Sequence, residues 1–443
     1  MGKSNRGAMK IWPAPLLLIA AVLCGAPPGS AQAQVGQAAD GLFEGKLTFS
    51  PEEEALYLQR YAQAQSRYAA DEIYRPLEAI SGTASWKPLP NAKPRERTIS
   101  EAALGEAKAY AAAQNSRALI VWRNGKVEAE SYFGDLTRTT SFNTLSLSKP
   151  VNVVAVGRAI MLGKIKSLDQ PVADFVTEWR ADPQRAKILV RHLLDMRAGF
   201  LAQLPEKGPN DIMARSFLHP HHDEIIVTEY PVVNEPGTRY EYNNAAADMV
   251  AVLIERATGR RYAEFVGTEI WQKLGAMGGA VWVNREGGVP HAGCCMMVPA
   301  ENILRLAILT LHDGVWNGAR LLPRSYVSAM KTPTAQNPYY GLGLYVAGPY
   351  IARRGAANLD RATPKTLHSE PYLAKDLYLF DGNANQVAYV VPSQNLVILR
   401  TGTLSTGNNA PRPKGVEWDN SFLPNVVLRG IVRDRRVSIP QSR

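Results

Sequence analysis

Residues 144–150 read Thr-Leu-Ser-Leu-Ser-Lys-Pro, and this stretch decides how the rest of the chain is interpreted. It holds Ser146 and Lys149 in the spacing Ser-x-x-Lys, in which a lysine one helical turn away activates a hydroxyl. Residues i and i+3 share a helix face, so the Lys149 amine can reach Ser146, whereas the adjacent Ser148 cannot share a face with Lys149. Pro150 is tolerated in a first helical turn, which predicts a helix that begins close to Ser146. A nucleophile at that position has free backbone N–H groups beside it.

The motif alone is weak evidence, because chance supplies about one Ser-x-x-Lys in a chain of this length. A second copy does occur, from Ser328 to Lys331. Context separates the two: Ser146 opens a long apolar helix and is followed by Tyr242-Asn243-Asn244, whereas no Tyr-x-Asn follows Ser328. The sequence therefore favours Ser146 as a nucleophile over a helix-capping serine, and Tyr242 as its partner over a plain core tyrosine.

Apolar spacing predicts the organisation of the chain. Apolar residues three and four apart indicate helices at 146–162, 188–196, 244–258 and 300–313. Two β-rich runs flank Asn124-Gly125, a strong hairpin signal, and strands are expected at 377–380, 386–391 and 395–400 before a closing helix at 422–432. Strands at both ends with helices between them predict an α+β fold, in which an antiparallel sheet is flanked by helices around a mostly helical insertion.

These patterns divide the chain into predicted parts. Residues 34–104 form a polar N-terminal extension with a helix at 51–68, residues 105–140 and 320–443 form an α/β lobe, and residues 141–319 form the mostly helical lobe. The role of the extension stays open between covering part of the sheet and contacting another subunit.

Residues 1–33 have the pattern of a signal peptide. A basic stretch ends at Lys10, an apolar run follows, and Ala31-Gln32-Ala33 is a small-x-small cleavage pattern. The alternative is a retained membrane anchor, but the run is shorter than the ~20 residues that a span needs. We therefore expect a periplasmic or secreted protein with no membrane span after removal of the signal.

Composition excludes several function classes. The formal net charge is +10, of which 3 come from Lys3, Arg6 and Lys10, and the remaining +7 is spread without a run of like charges, which argues against nucleic-acid binding. Three cysteines without a Cys-x-x-Cys pair predict neither a metal site nor a redox dithiol, and no cofactor is indicated. The adjacent Cys294 and Cys295 bridge only with strain, so two buried thiols are expected. Nothing in the sequence indicates the oligomeric state.

Several ordered motifs resemble the serine β-lactamase-related family, which joins class C β-lactamases, DD-peptidases, related carboxylesterases and 6-aminohexanoate-dimer hydrolases. The similarity covers about residues 105–432. It is carried by the stretch from Thr144 through Gly199, with Ser-Leu-Ser-Lys, Gly163-Lys-Ile-Lys-Ser-Leu-Asp-Gln-Pro-Val and Val190-Arg-His-Leu-Leu-Asp-Met-Arg-Ala-Gly, then by Glu235-Pro-Gly-Thr-Arg-Tyr-Glu-Tyr-Asn-Asn, Asp313-Gly-Val-Trp-Asn-Gly and Tyr340-Gly-Leu-Gly-Leu-Tyr.

The resemblance implies a β-lactamase/transpeptidase-like fold and an acyl-enzyme mechanism. Ser146 would be the nucleophile, Lys149 and Tyr242 would act as base and then as acid, and Asn244 would orient Lys149 or the substrate. The backbone N–H groups of Ser146 and Gln386 would form the oxyanion hole.

The chain departs from the family at its third motif, Lys-Thr-Gly or His-x-Gly. By position between strands this motif falls on Asn383-Ala384-Asn385. Asn383 carries no charge to bind a substrate carboxylate, and Asn385 puts a side chain where the family has glycine. Tyr340 is expected either to line the cleft or to pack in a strand.

We therefore expect an exported serine hydrolase that cleaves a small ester or an amide without an obligatory carboxylate. One alternative is β-lactam hydrolysis or DD-peptidase-like activity. The other is a binding or sensor module of the same fold whose catalysis has decayed.

Overall fold

The computed structural model describes residues 47–67, 74–204, 206–355, 365–402 and 417–432, so the expected signal peptide at 1–33 lies outside the described residues. The described α-helices are α1 Pro51–Arg67, α2 Glu101–Ala113, α3 Lys149–Met161, α4 Val190–Leu194, α5 Ile212–Leu218, α6 His222–Thr228, α7 Asn244–Thr258, α8 Tyr262–Val266, α9 Ala300–Leu311, α10 Arg324–Met330 and α11 Phe422–Arg429. The described strands are β1 Leu77–Ile80, β2 Ser116–Arg123, β3 Lys126–Tyr132, β4 Ser141–Asn143, β5 Gly279–Trp282, β6 Met296–Pro299, β7 Val315–Trp316, β8 Ala319–Arg320, β9 Tyr345–Val346, β10 Arg353–Gly355, β11 Lys365–Leu367, β12 Tyr378–Gly382, β13 Gln386–Val391 and β14 Leu396–Gly402.

The larger sheet joins distant parts of the chain. Its six antiparallel strands run in the order β3-β2-β14-β13-β12-β9. The hairpin of β2 and β3 turns at Asn124 and Gly125, both at positive φ (50° and 88°), as the sequence predicted. Strand β13 is buried at every position, as expected of a central strand covered on both faces.

A smaller sheet leads into the site. Its four antiparallel strands run in the order β1-β5-β6-β4, and β4 ends two residues before Leu145. Strand β1 comes from the N-terminal extension, whose helix α1 docks on the helical lobe through the ion pair of Arg215 with Glu54 (2.7 Å) and the contact of His221 with Glu53 (2.6 Å). The described part of the extension therefore adds an edge strand and a helix to this lobe.

Helix α7 has the bounds that the sequence predicted, and its two ends show why. Asn243 caps its start by accepting from Ala246 N (3.1 Å), and Gly259 ends it in a left-handed conformation (φ 69°). Residues 245–254 are all buried, so α7 is a central helix of the lobe. The predicted α+β fold, an antiparallel sheet flanked by helices, is confirmed. Within the described residues, no helix combines the length and apolar character needed to cross a bilayer.

Candidate active site

Ser146 lies in a sharp connection between a strand and a helix. Strand β4 ends at Asn143, Leu145 takes a left-handed conformation (φ 47°), and a 3-10 turn over Leu145–Ser148 runs directly into α3. The Asn143 carboxamide oxygen accepts from Leu145 N (3.0 Å) and so supports this uncommon backbone. Ser146 is partly exposed while its neighbours from Phe142 to Leu147 are buried, so the fold presents this one side chain to solvent.

Lys149 points back at Ser146 from the first turn of α3. Its side-chain nitrogen lies 3.2 Å from Ser146 Oγ, 2.8 Å from Asn244 Oδ1 and 2.7 Å from the Gly293 carbonyl oxygen. All three oxygen atoms are within hydrogen-bond distance of the nitrogen. The side chain is almost completely buried, so these contacts fix its position.

Tyr242 lies beside this group, two residues before the start of α7. The Lys149 nitrogen is 4.7 Å from the centroid of the Tyr242 ring, which is a cation–π distance. The structure therefore brings together Ser146, Lys149, Tyr242 and Asn244, the four residues to which the sequence assigned proton transfer and orientation.

Tyr340 lies behind Tyr242 and does not line the cleft. It is 1% exposed, and its ring packs edge-on against Tyr242 (6.4 Å), Tyr240 (5.3 Å) and Tyr345 (4.8 Å). Of the two roles that the sequence allowed for Tyr340, the structure therefore shows the packing role, because the side chain is buried.

The predicted third motif forms the tip of the hairpin between β12 and β13. Ala384 and Asn385 are both left-handed (φ 63° and 55°), and asparagine tolerates this conformation better than most residues with a side chain. Asn383 is exposed, and its carboxamide oxygen accepts from Ala384 N (2.7 Å). The buried Arg400 donates to the Asn385 carbonyl (2.9 Å) from behind the tip, so this cation supports the hairpin and does not face the cleft.

Gly382, at the end of β12, lies close to the backbone of Ser146. The sequence did not indicate this residue as part of the site. A Cβ atom at Gly382 would lie 3.4 Å from Ser146 N and 3.0 Å from Leu147 N. Gln386, expected to offer its backbone N–H to an oxyanion, instead donates that N–H to Asn383 O. Its side chain donates to Asn143 O (2.9 Å) and Thr144 O (3.2 Å), so Gln386 ties the hairpin to the segment that precedes the serine.

The two residues that follow Gly293 differ from the prediction of two free thiols. Cys294 and Cys295 are both buried, as expected, but they are joined in a disulfide rather than present as two thiols. Cys295 is left-handed (φ 72°), so the backbone turns sharply between the two residues. Both residues lie in the irregular segment between β5 and β6.

One buried cluster in the described residues has the residue types of a metal site: His222, Asp248 and His291, whose potential ligand atoms lie within 4.8 Å of one another. The two imidazole rings stack face to face at 3.8 Å with an interplanar angle of 18°. Imidazole lone pairs lie in the ring plane, so two stacked rings do not direct them at one ion. We therefore assign no metal to this cluster.

Comparison with known proteins shows the family of this chain. A β-lactamase family model matches residues 107–420. The chain belongs to the β-lactamase family. It is 26% identical to the 6-aminohexanoate-dimer hydrolase of Paenarthrobacter ureafaciens over 221 residues, which are 48% of this chain and 56% of that enzyme. It is 27% identical to the esterase EstB of Burkholderia gladioli over 172 residues, which are 35% of this chain and 42% of that enzyme.

The matches to curated relatives are partial, since the chain spans about half the length of these two enzymes. A solved structure from Bacillus anthracis, assigned as a 6-aminohexanoate-dimer hydrolase, superposes with a TM-score of 0.58 at 18% identity and covers 82% of this chain and 95% of that one. At this identity the structural match supports the fold alone. The β-lactamase family, with these relatives, is one of serine hydrolases that includes esterases and amidases.

Proposed function

We propose that this β-lactamase family member is an exported serine hydrolase that cleaves a small ester or amide through an acyl-enzyme on Ser146. The observation that carries the proposal is that three side chains surround the Lys149 nitrogen. The nitrogen lies 3.2 Å from Ser146 Oγ, 2.8 Å from Asn244 Oδ1 and 4.7 Å from the centroid of the Tyr242 ring. A hydroxyl within hydrogen-bond reach of a proton acceptor that is itself held by a third group is the arrangement of an activated nucleophile.

In the proposed reaction, Ser146 Oγ forms a bond to the substrate carbonyl carbon while its proton passes to the pair formed by Lys149 and Tyr242. The same pair returns the proton to the leaving alcohol or amine as the carbon–oxygen or carbon–nitrogen bond breaks. Water then attacks the acyl-enzyme by the reverse proton route and releases the acid. The Ser146 backbone nitrogen lies beside Gly382, and we place the developing negative charge of the tetrahedral intermediate in the space between them.

The substrate class follows from the charges near the serine. Asn383 is neutral, and Arg400, the cation nearest the hairpin tip among the contacts described above, is buried and bound to backbone carbonyls. Among the described residues, neither Asn383 nor Arg400 therefore offers a substrate carboxylate a positive charge at the hairpin tip, which favours an ester or amide without an obligatory carboxylate. The names of the two curated relatives, an esterase and a 6-aminohexanoate-dimer hydrolase, support hydrolysis of an ester or an amide.

Export is supported by two independent features. Residues 1–33 have the basic, apolar and small-x-small pattern of a signal peptide. The disulfide of Cys294 and Cys295 is of a kind that persists in oxidising compartments. Intact mass of the protein recovered from the cell exterior or periplasm tests cleavage after Ala33.

The decisive experiment is turnover of p-nitrophenyl esters by wild type, Ser146→Ala and Ser328→Ala. Ser328 is the matched control, because it belongs to the second Ser-x-x-Lys pattern and lies exposed on α10. We expect Ser146→Ala to lose at least about 10³-fold in kcat/KM and Ser328→Ala to match wild type. Equal rates for Ser146→Ala and wild type would remove Ser146 as the nucleophile.

Two further measurements separate the alternatives. Nitrocefin turnover faster than ester turnover would favour a β-lactamase. Failure of a fluorophosphonate probe to label wild-type Ser146 would favour a binding module without catalysis.

A further inference from the structure

A buried carboxylate lies one residue beyond the direct contacts of Lys149. Gly293, whose carbonyl oxygen accepts from Lys149 (2.7 Å), is also held at its backbone N–H, which donates to Asp248 Oδ1 (2.7 Å). Asp248 is 3% exposed and occupies α7 four residues after Asn244. Residues four apart share a helix face, so one face of α7 contacts Lys149 directly through Asn244 and indirectly through Asp248.

The other carboxylate oxygen of Asp248 is oriented by a histidine. Asp248 Oδ2 lies 2.9 Å from His291 Nδ1. We assign His291 the Nδ1–H tautomer, in which the ring nitrogen donates to the Asp248 oxygen. With Oδ1 bound to the Gly293 N–H and Oδ2 bound to His291, the carboxylate has no freedom to turn away from Gly293.

The His291 ring is itself fixed. It is completely buried and lies between Trp282 (4.2 Å between centroids, 22° between planes) and His222 (3.8 Å, 18°). Burial and the neighbouring His291 hold the pKa of His222 well below its usual value, so the stack does not place two imidazolium ions face to face. The stack sets the ring plane, and the ring plane sets the direction of the Nδ1–H bond.

Gly293 fits against α7 with no spare room. A Cβ atom there would lie 2.8 Å from Ala247 Cβ, 2.9 Å from Asp248 Oδ1 and 3.2 Å from Asn244 O. The carbonyl that receives Lys149 is therefore placed by contact with the helix and by the hydrogen bond to Asp248 together.

We propose that Asp248, oriented by His291, is a positioning residue that holds Gly293 so that its carbonyl keeps the Lys149 nitrogen on Ser146. This inference rests on the proposed function, because it gives Lys149 a part in activating the serine. It adds two residues to the site that touch neither the substrate nor the reacting atoms.

The test uses two opposite substitutions of His291. His291→Phe keeps a flat ring in the stack and removes the hydrogen-bond donor, whereas His291→Asn places a carboxamide N–H near the position of Nδ1 and removes the stacked ring. If His291 acts through Asp248, His291→Phe should slow fluorophosphonate labelling of Ser146 and ester kcat by about tenfold or more, with KM within about threefold of wild type. His291→Asn should stay within about threefold of wild type in the same measurements. The reverse ranking would assign His291 a packing role and overturn the proposal.

Asp248→Ala provides a second measurement with its own control. Glu128 is also a buried carboxylate that accepts two backbone N–H groups, those of Thr98 (2.9 Å) and Ile99 (3.0 Å), but it lies on β3, which three other strands separate from β12. We expect Asp248→Ala to lower the labelling rate about tenfold or more and Glu128→Ala to leave it unchanged in the folded fraction. Equal labelling of Asp248→Ala and wild type, or equal losses in both alanine variants, would refute the positioning role. Lack of labelling in the wild type is a different result, which would refute the proposed function and this inference with it.

Discussion

Replacing Gly382 by alanine tests whether the space in front of Ser146 N is used by the reacting carbonyl. The added Cβ would lie 3.0 Å from Leu147 N and 3.4 Å from Ser146 N. The first distance is about half an ångström shorter than the ~3.5 Å at which dispersion contacts become favourable. Either β12 or the turn that carries Ser146 must therefore move, and the new methyl group occupies the space that an oxyanion would enter.

The size of the effect follows from these distances. A misplacement of about 1 Å at a reacting group costs on the order of 10²-fold, and the loss of one oxyanion donor costs about 10²- to 10³-fold. We therefore expect kcat/KM for a p-nitrophenyl ester to fall about 10²-fold, which corresponds to about 2.7 kcal/mol of transition-state stabilisation. Overpacking should lower the free energy of unfolding by about 1 to 3 kcal/mol, which urea denaturation measures separately from the rate.

Gly105→Ala is the matched control. Gly105 lies in α2, and a Cβ atom there would meet no atom within 4 Å apart from its chain neighbours and the backbone of its own helix. This variant should keep the wild-type rate and gain about 0.5 to 1 kcal/mol in stability, since alanine favours a helix over glycine. A Gly382→Ala variant that is folded and retains kcat/KM within about threefold of wild type would refute the placement of the oxyanion beside Gly382.

Two further predictions concern stability. Burial lowers the pKa of His192, His219 and His368 to about 4. Between about pH 4 and 6.5 the unfolded chain therefore binds more protons than the folded chain. The free energy of unfolding should fall as the pH drops through that window, by up to about 1.4 kcal/mol per pH unit for each histidine. Thermal unfolding at pH 7.5 and pH 5 checks this, and an equal Tm at the two pH values would contradict it. The His312→Gln variant, which lacks an exposed histidine, is the control and should show the same change in Tm as the wild type. Ala384→Gly should stabilise the protein by about 0.5 to 1 kcal/mol in urea denaturation, because Ala384 has φ 63° and glycine adopts this conformation without the cost of a Cβ. A loss of stability in Ala384→Gly would show that the hairpin does not carry this backbone strain.

The parts of the fold that were predictable have local causes. The helix predicted at 244–258 is α7 with the same bounds, because an asparagine cap, a regular apolar spacing and a terminal glycine all lie within one stretch of sequence. The hairpin at Asn124 and Gly125 was predictable for the same reason, since the turn residues tolerate the positive φ that the turn requires.

The candidate site was only partly predictable. The spacing of Ser146 and Lys149 indicated their contact, because a helix turn brings them together. The contact of Lys149 with Gly293 spans 144 positions and ends in an irregular segment, so no period in the sequence indicates it. The same is true of Asp248 and His291, which read as an ordinary helix residue and a loop residue until the fold places them together.

The prediction of free thiols at Cys294 and Cys295 failed for a related reason. The general geometric rule for disulfides disfavours neighbouring residues, but it does not take account of a sharp turn at that point of the chain. The left-handed Cys295 supplies such a turn.

The disulfide of Cys294 and Cys295 affects how this protein should be produced. The two cysteines come directly after Gly293, whose carbonyl oxygen accepts from Lys149. Protein made in a reducing cytosol would carry two thiols at this position in place of the disulfide. Intact mass, which distinguishes the bridged chain from one that carries two additional hydrogen atoms, is therefore a necessary check on every batch before rates from different expression hosts are compared.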